Sequence, residues 1–141
     1  MVIFEIFQYF PEDFPVLETV LSGTVAFILS IVWYNPKLIG EKANEEINKQ
    51  TNGYKPGLIP YIVAFVLWLI TALIYSFLTS FLSPVTIQSL LGLSTFLWIG
   101  FILPAIMMNG LFHGKKLIVM GLDSSYFLAG LYLFAVIHDV V

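Results

Sequence analysis

Four long apolar runs, Val16 to Tyr34, Leu58 to Leu82, Val85 to Phe112 and Leu117 to Ile137, take up most of this 141-residue chain. Each reaches the roughly 20 residues a helix needs to cross about 30 Å of hydrocarbon. The only charges inside them are Glu18 and Asp123. With 59% hydrophobic and 11% charged residues and a mean hydropathy of +0.92, a chain of this size cannot hide its apolar surface from water. In lipid, backbone amides must be satisfied within their own segment or around a closed barrel, and barrel strands show alternation over about ten residues. Uninterrupted runs therefore predict helices. The expected fold is all-α: a polytopic integral membrane protein, residues 1–141 forming one transmembrane domain with four transmembrane helices in a bundle and a polar loop over 35–57.

The stretch from Met1 to Pro15 has no Lys or Arg and carries Glu5, Glu12 and Asp13. That charge is wrong for a cleaved secretory signal, so the first helix is expected to be retained. The absence of cysteine excludes disulfides, thiolate metal sites and redox thiols. A net charge of −3 and a pI near 5.1 offer no basic face for nucleic acid.

All six basic residues are lysines. Lys37, Lys42, Lys49 and Lys55 fall in the first connection and Lys115 and Lys116 in the third, so the positive-inside rule predicts a multi-pass protein of the cell membrane with both connections cytoplasmic and both termini outside. Ser83 and Pro84 make the second and third helices a tight hairpin, and Pro15, Pro60 and Pro84 suit first helical turns, where a missing amide costs nothing. Trp33 and Tyr34 at the inner end of the first helix with Lys37 and Lys42 after them, Tyr61 at the start of the second helix, Lys115 and Lys116 in the third connection, and Tyr9 with Phe10 outside fit the membrane–water interfaces. Within the loop, Leu38, Ile39, Ala43 and Ile47 recur at helical spacing against Glu41, Lys42, Glu45, Glu46 and Lys49. This pattern predicts a short amphipathic helix on the membrane surface or a solvated connector with i,i+4 ion pairs.

The run Val32-Trp33-Tyr34-Asn35-Pro36-Lys37-Leu38-Ile39-Gly40-Glu41-Lys42 resembles the "WYSPLLFGK" signature of the small DUF1761 membrane proteins. In the second half, Trp98-Ile99-Gly100-Phe101, Pro104 and Leu111-Phe112-His113-Gly114-Lys115-Lys116 are similar to that family's "WLGF", downstream proline and "LFEGR". Asp123 stands where the family often has Asn, Tyr126 matches its usual Tyr, His113 replaces an acidic residue and Phe127 takes a position often held by His. The resemblance runs from Gly23 onward. It implies a four-helix membrane fold and brings no established activity with it.

Asp123 lies six residues into the fourth run, about 9 Å deep at a helical rise of 1.5 Å per residue. A central carboxylate costs roughly 2.5–3.5 kcal/mol on insertion scales, so it is expected to face the bundle or another subunit. Proton relay, ion ligand and polar contact are the functional readings. The structural one is a hydrogen bond to Ser30, Asn109 or a tyrosine at similar depth, with Tyr126 projecting beside Asp123. Gly121, Ser125 and Ala129 repeat every four residues and predict close helix packing, within the chain or against another. Pro104 removes a backbone bond to Gly100 and predicts a kink in the third helix. Trp68 and Trp98 sit mid-helix, where an indole N–H needs a partner, so both are expected to point inward or toward a neighbouring subunit. His113 and His138 fall at opposite membrane faces and cannot share a metal within one protomer.

Hydrolysis, phosphoryl transfer and redox turnover each need several convergent groups. The chain has no G-x-S-x-G, no H-x-x-x-H, no glycine-rich phosphate loop and no arginine. No catalysis, cofactor or metal is expected. The leading expectation is an accessory subunit, seated in the lipid bilayer and packing against other membrane subunits or itself, with a membrane-bound oxidoreductase or monooxygenase as the sort of partner complex. The alternatives are a small oligomeric channel or transporter using Asp123 in a proton or ion pathway, and a lipid-binding or lipid-modifying protein acting at the loop.

Overall fold

The apolar runs close into helices whose ends are set by local chemistry. A computed structural model describes residues 14–84 and 86–141. The expectations for Glu5, Tyr9, Phe10, Glu12 and Asp13, and the start of the third run at Val85, lie outside the described residues. The elements are α1 (Val16–Trp33), α2 (Pro36–Ile39), α3 (Glu41–Thr51), α4 (Leu58–Leu82), α5 (Ile87–Phe112) and α6 (Leu117–Val140). Four of them, α1, α4, α5 and α6, are long and apolar enough to cross a membrane.

Pro60 sits in the first turn of α4 as expected. Pro15 is instead the N-cap of α1, and Pro84 lies ahead of α5, which Thr86 starts by accepting the Ser89 N–H on its side chain at 3.1 Å. The polar loop is two helices, not one. Asn35 caps α2 through the Lys37 N–H, and Gly40, at φ 90°, breaks the chain before α3. Leu38 is exposed, whereas Ala43 is buried and α3 rests on α6. The loop's apolar stripe is therefore used partly against protein. Lys49 pairs with exposed Glu45 at 3.7 Å and half-buried Glu46 at 3.8 Å, surface contacts of little energetic weight.

The spans are not equivalent. α1 packs along α4 and α6, α5 packs mostly on α6, and α4 meets α6 through the large side chains of Trp68 and Tyr75. α6 is thus the central post, and it buries Val119, Met120, Ser124, Tyr126, Gly130, Leu131, Phe134 and Ala135. Trp68, Ala72 and Tyr75 of α4 and Ala26 of α1 complete the core. Close approach falls where a side chain is missing: a Cβ on Gly23 would stand 2.7 Å from Leu69 Cδ2, and one on Gly130 would stand 2.6 Å from Trp68 Cη2. The expected small-residue seam does not pack within the chain. Gly121 and Ser125 are exposed, Ala129 is half-buried, and nothing lies within 4 Å of a Cβ built on Gly121.

The break in α5 is a π-turn over Trp98–Ile102. Leu103 N–H reaches back five residues to the Trp98 carbonyl, immediately before Pro104. Without an amide proton, Pro104 cannot bond the Gly100 carbonyl, and the turn widens at that point. Gly100 itself is exposed, with open space around it.

Candidate functional site

Several polar side chains in these spans bond across the bundle, because lipid offers them no partner. They form contacts at several levels. At the lysine-bearing end, Trp33 Nε1–H donates to the Leu122 carbonyl at 3.2 Å. Beside it the Tyr34 hydroxyl donates to Asp123 Oδ1 at 2.5 Å. Both aromatics, read from sequence as interfacial, are bonded to α6. Burial pushes the Tyr34 phenol above its ordinary ionisation range, and the Asp123 carboxylate that accepts its proton pushes it further.

One level deeper, Ser30, Trp68 and Tyr126 join α1, α4 and α6. Trp68 Nε1 lies 2.6 Å from the Tyr126 oxygen and 3.2 Å from Ser30 Oγ. Ser30 and Tyr126 are hydrogen-bonded to each other. Ser30 can also donate to the Ala26 carbonyl at 3.1 Å. Only one order of protons satisfies all three groups: the indole donates to Tyr126, Tyr126 to Ser30, and Ser30 to the carbonyl. The Trp68 ring stands edge-on to Tyr126 at 5.6 Å and to Phe134 at 5.6 Å. Across the bundle Trp98 Nε1–H donates to the Ser124 carbonyl at 2.7 Å.

Further along, the Tyr75 hydroxyl meets Ser94 Oγ at 2.8 Å, and Ser94 in turn bonds the Leu131 carbonyl at 2.9 Å. Thr95 and the Tyr132 hydroxyl are 2.9 Å apart. At the hairpin end Thr19, Ser76 and His138 form a fourth cluster.

The expected residues are therefore divided. Ser30 and Tyr126 meet each other, Asp123 meets Tyr34, and Asn109 is exposed, its carbonyl facing His113 Nδ1 at 2.8 Å. Lys37, Lys42 and Lys116 are exposed at the loop end and Lys115 is half-buried. The Thr19–Ser76–His138 cluster was missed in the sequence. Its signal is positional: all three residues fall at the same end of an up-down bundle.

Chemically, the set holds helices together. Ser76 Oγ and His138 Nε2, 2.8 Å apart, have nucleophile–base spacing, but Ser76 is fully enclosed, so no substrate carbonyl reaches it. Among the described residues, no three His, Asp or Glu side chains come close enough to hold a metal ion.

The fold and these contacts define a multi-pass, four-helix membrane protein. The chain belongs to the DUF1761 family, whose members are described as proteins of unknown function; the family's sequence model matches residues 17–138. No curated protein and no solved structure matches the chain.

Proposed function

We propose that this protein is a non-catalytic accessory subunit that packs through its membrane face against other subunits of a membrane complex, such as a membrane-bound oxidoreductase or monooxygenase. The observation that carries the reading is the position of α5. It packs chiefly on α6, meets α4 through Tyr75, and leaves an apolar cleft of about 530 Å³ toward α4, lined by Ile70, Ile74, Leu97, Phe101 and Ile102. Phe96 is 78% exposed and Phe101 74%. A span this little engaged by its own chain has free surface for a partner's helix, and packing in lipid is driven by such shape contacts. Extraction in a mild detergent should recover the protein in a larger assembly with different chains. Recovery solely as a lone species contradicts the role.

The same reading seats the protein in the cell membrane with the lysine-bearing connections in the cytoplasm and both termini outside. The channel reading has Asp123 in its favour, a half-buried carboxyl beside Tyr34. Against it stands the bundle centre, where Ala26, Ala72, Phe134 and Ala135 are all fully buried and the polar groups Ser30, Trp68, Tyr126, Tyr75 and Ser94 are engaged in helix-to-helix hydrogen bonds. Undiminished proton or ion flux in vesicles carrying Asp123→Asn disposes of that mechanism.

A further inference from the structure

His138 stands near the end of α6 with Nδ1 2.8 Å from the Phe134 carbonyl. A carbonyl only accepts, so Nδ1 keeps its proton in either charge state of the ring, and Nε2 is the nitrogen left to titrate. From Nε2 a row of oxygens leads away: Ser76 Oγ at 2.8 Å, Thr19 Oγ1 a further 2.6 Å on, and the Pro15 carbonyl 2.8 Å beyond that.

Two proton orders satisfy this row. With a neutral ring, Thr19 donates to Ser76 and Ser76 donates to Nε2, while the Pro15 carbonyl still accepts the Thr19 backbone N–H at 3.1 Å. With a proton added at Nε2, the ring donates to Ser76, Ser76 to Thr19, and Thr19 to Pro15. Two hydroxyl hydrogens rotate and no heavy atom moves. A buried polar group left without a partner is destabilising; here neither state leaves one. The Trp68–Tyr126–Ser30 chain, with one satisfied order, lacks this property.

The row is also reachable. His138 and Glu18 line a cavity of about 210 Å³ at the hairpin end, together with Thr79, Ser80 and Pro84. Among the described residues, the titratable groups around the ring are Glu18 on α1, Tyr75 on α4, whose ring lies 5.2 Å from the imidazole, and Asp139 on α6 itself. α5 carries no charged residue.

We infer that His138, Ser76, Thr19 and the Pro15 carbonyl form a proton-binding site at the hairpin end of the bundle. It takes one proton from water in the adjoining cavity and reverses a hydroxyl chain that links α1, α4 and α6. The site goes beyond the subunit role and stands independently of it.

The test uses the full chain in lipid nanodiscs with His113→Gln, which leaves one of the two histidines, and follows its ring nitrogens by ¹⁵N NMR against pH. Nδ1 should stay protonated throughout while Nε2 gains a proton within about pH 5–8. Thr19→Val keeps the side-chain size and removes the acceptor that Ser76 needs when the ring is charged. Proton affinity should fall about tenfold, the worth of one buried hydrogen bond, and Thr19→Ser should restore it. If the valine variant fails to fold, the assignment of the titrating nitrogen in the otherwise native chain still decides. Titration at Nδ1, or a ring that stays neutral across the range, overturns the site. So does a Thr19→Val variant that titrates like its parent while Glu18→Gln weakens proton binding, since a carboxylate alone then holds the proton.

Discussion

Tyr34 and Asp123 couple the end of α1 to α6 through one hydroxyl, and the coupling has a sign. The folded protein holds the Tyr34 proton above the tyrosine's ordinary range, while the unfolded chain releases it near pH 10, roughly. Below that pH the contribution is complete. Above it the unfolded state binds fewer protons than the folded one, and stability falls as pH rises. Unfolding in mixed micelles should show this alkaline loss, and Tyr34→Phe should show less of it; equal losses contradict the coupling. Sterics give a sharper prediction at Gly130. Its missing Cβ makes room for the Trp68 ring, so Gly130→Ala should cost about 1–3 kcal/mol of stability by overpacking. Gly121→Ala, with open space around it, should stay within about 0.5 kcal/mol, and the same unfolding measurement separates the two. The sequence put the spacing rule on Gly121, Ser125 and Ala129 because a four-residue repeat is visible in one dimension. Gly130 packs because a particular indole from α4 arrives opposite it, and no periodicity within α6 encodes that. The contacts that Trp33 and Tyr34 make with α6 were illegible for a related reason. Aromatics at a span's end satisfy either an interface or a neighbouring helix, and only the orientation of α6 decides.

At the level of elements, hydropathy alone made the four spans legible, since a helix that must cross lipid has no other way to satisfy its backbone. The proline in α5 announced a disturbance, and the structure gives its form: a π-turn of five residues, Trp98–Ile102, ending just before Pro104. Two causes act on that turn. Pro104 leaves the Gly100 carbonyl without its usual partner, and Trp98 is held from outside by the Ser124 carbonyl at 2.7 Å. Pro104→Ala separates them by restoring the amide. If the proline is responsible, the turn should tighten to α-geometry, and spin-label distances between positions 90 and 111 should change. Unchanged distances assign the turn to the Trp98 anchor. The loop was harder to read. Gly40 divides it by adopting a positive φ, and the burial of Ala43 depends on α3 lying over α6, which hydropathy within the loop cannot specify.

For the whole molecule, the up-down order of the spans gathers the two lysine-bearing connections at one end and the Ser83–Pro84 hairpin with His138 at the other. That asymmetry is the strongest directional signal in the chain. Reversing it would place six ammonium groups on the side that the positive-inside rule disfavours. The chain contains no cysteine, so single reporters can be introduced at exposed positions on a clean background. Gln50→Cys, in α3, should resist a membrane-impermeant thiol reagent in intact cells and react once the membrane is permeabilised. Ser83→Cys, at the hairpin, should react from the start. Labelling of position 50 in intact cells with position 83 protected inverts the orientation. The outcome also fixes which solution the His138 cavity samples. With the hairpin outside, the Thr19–Ser76–His138 row answers to the pH beyond the membrane, and lowering external pH alone should protonate the ring in sealed vesicles of native orientation.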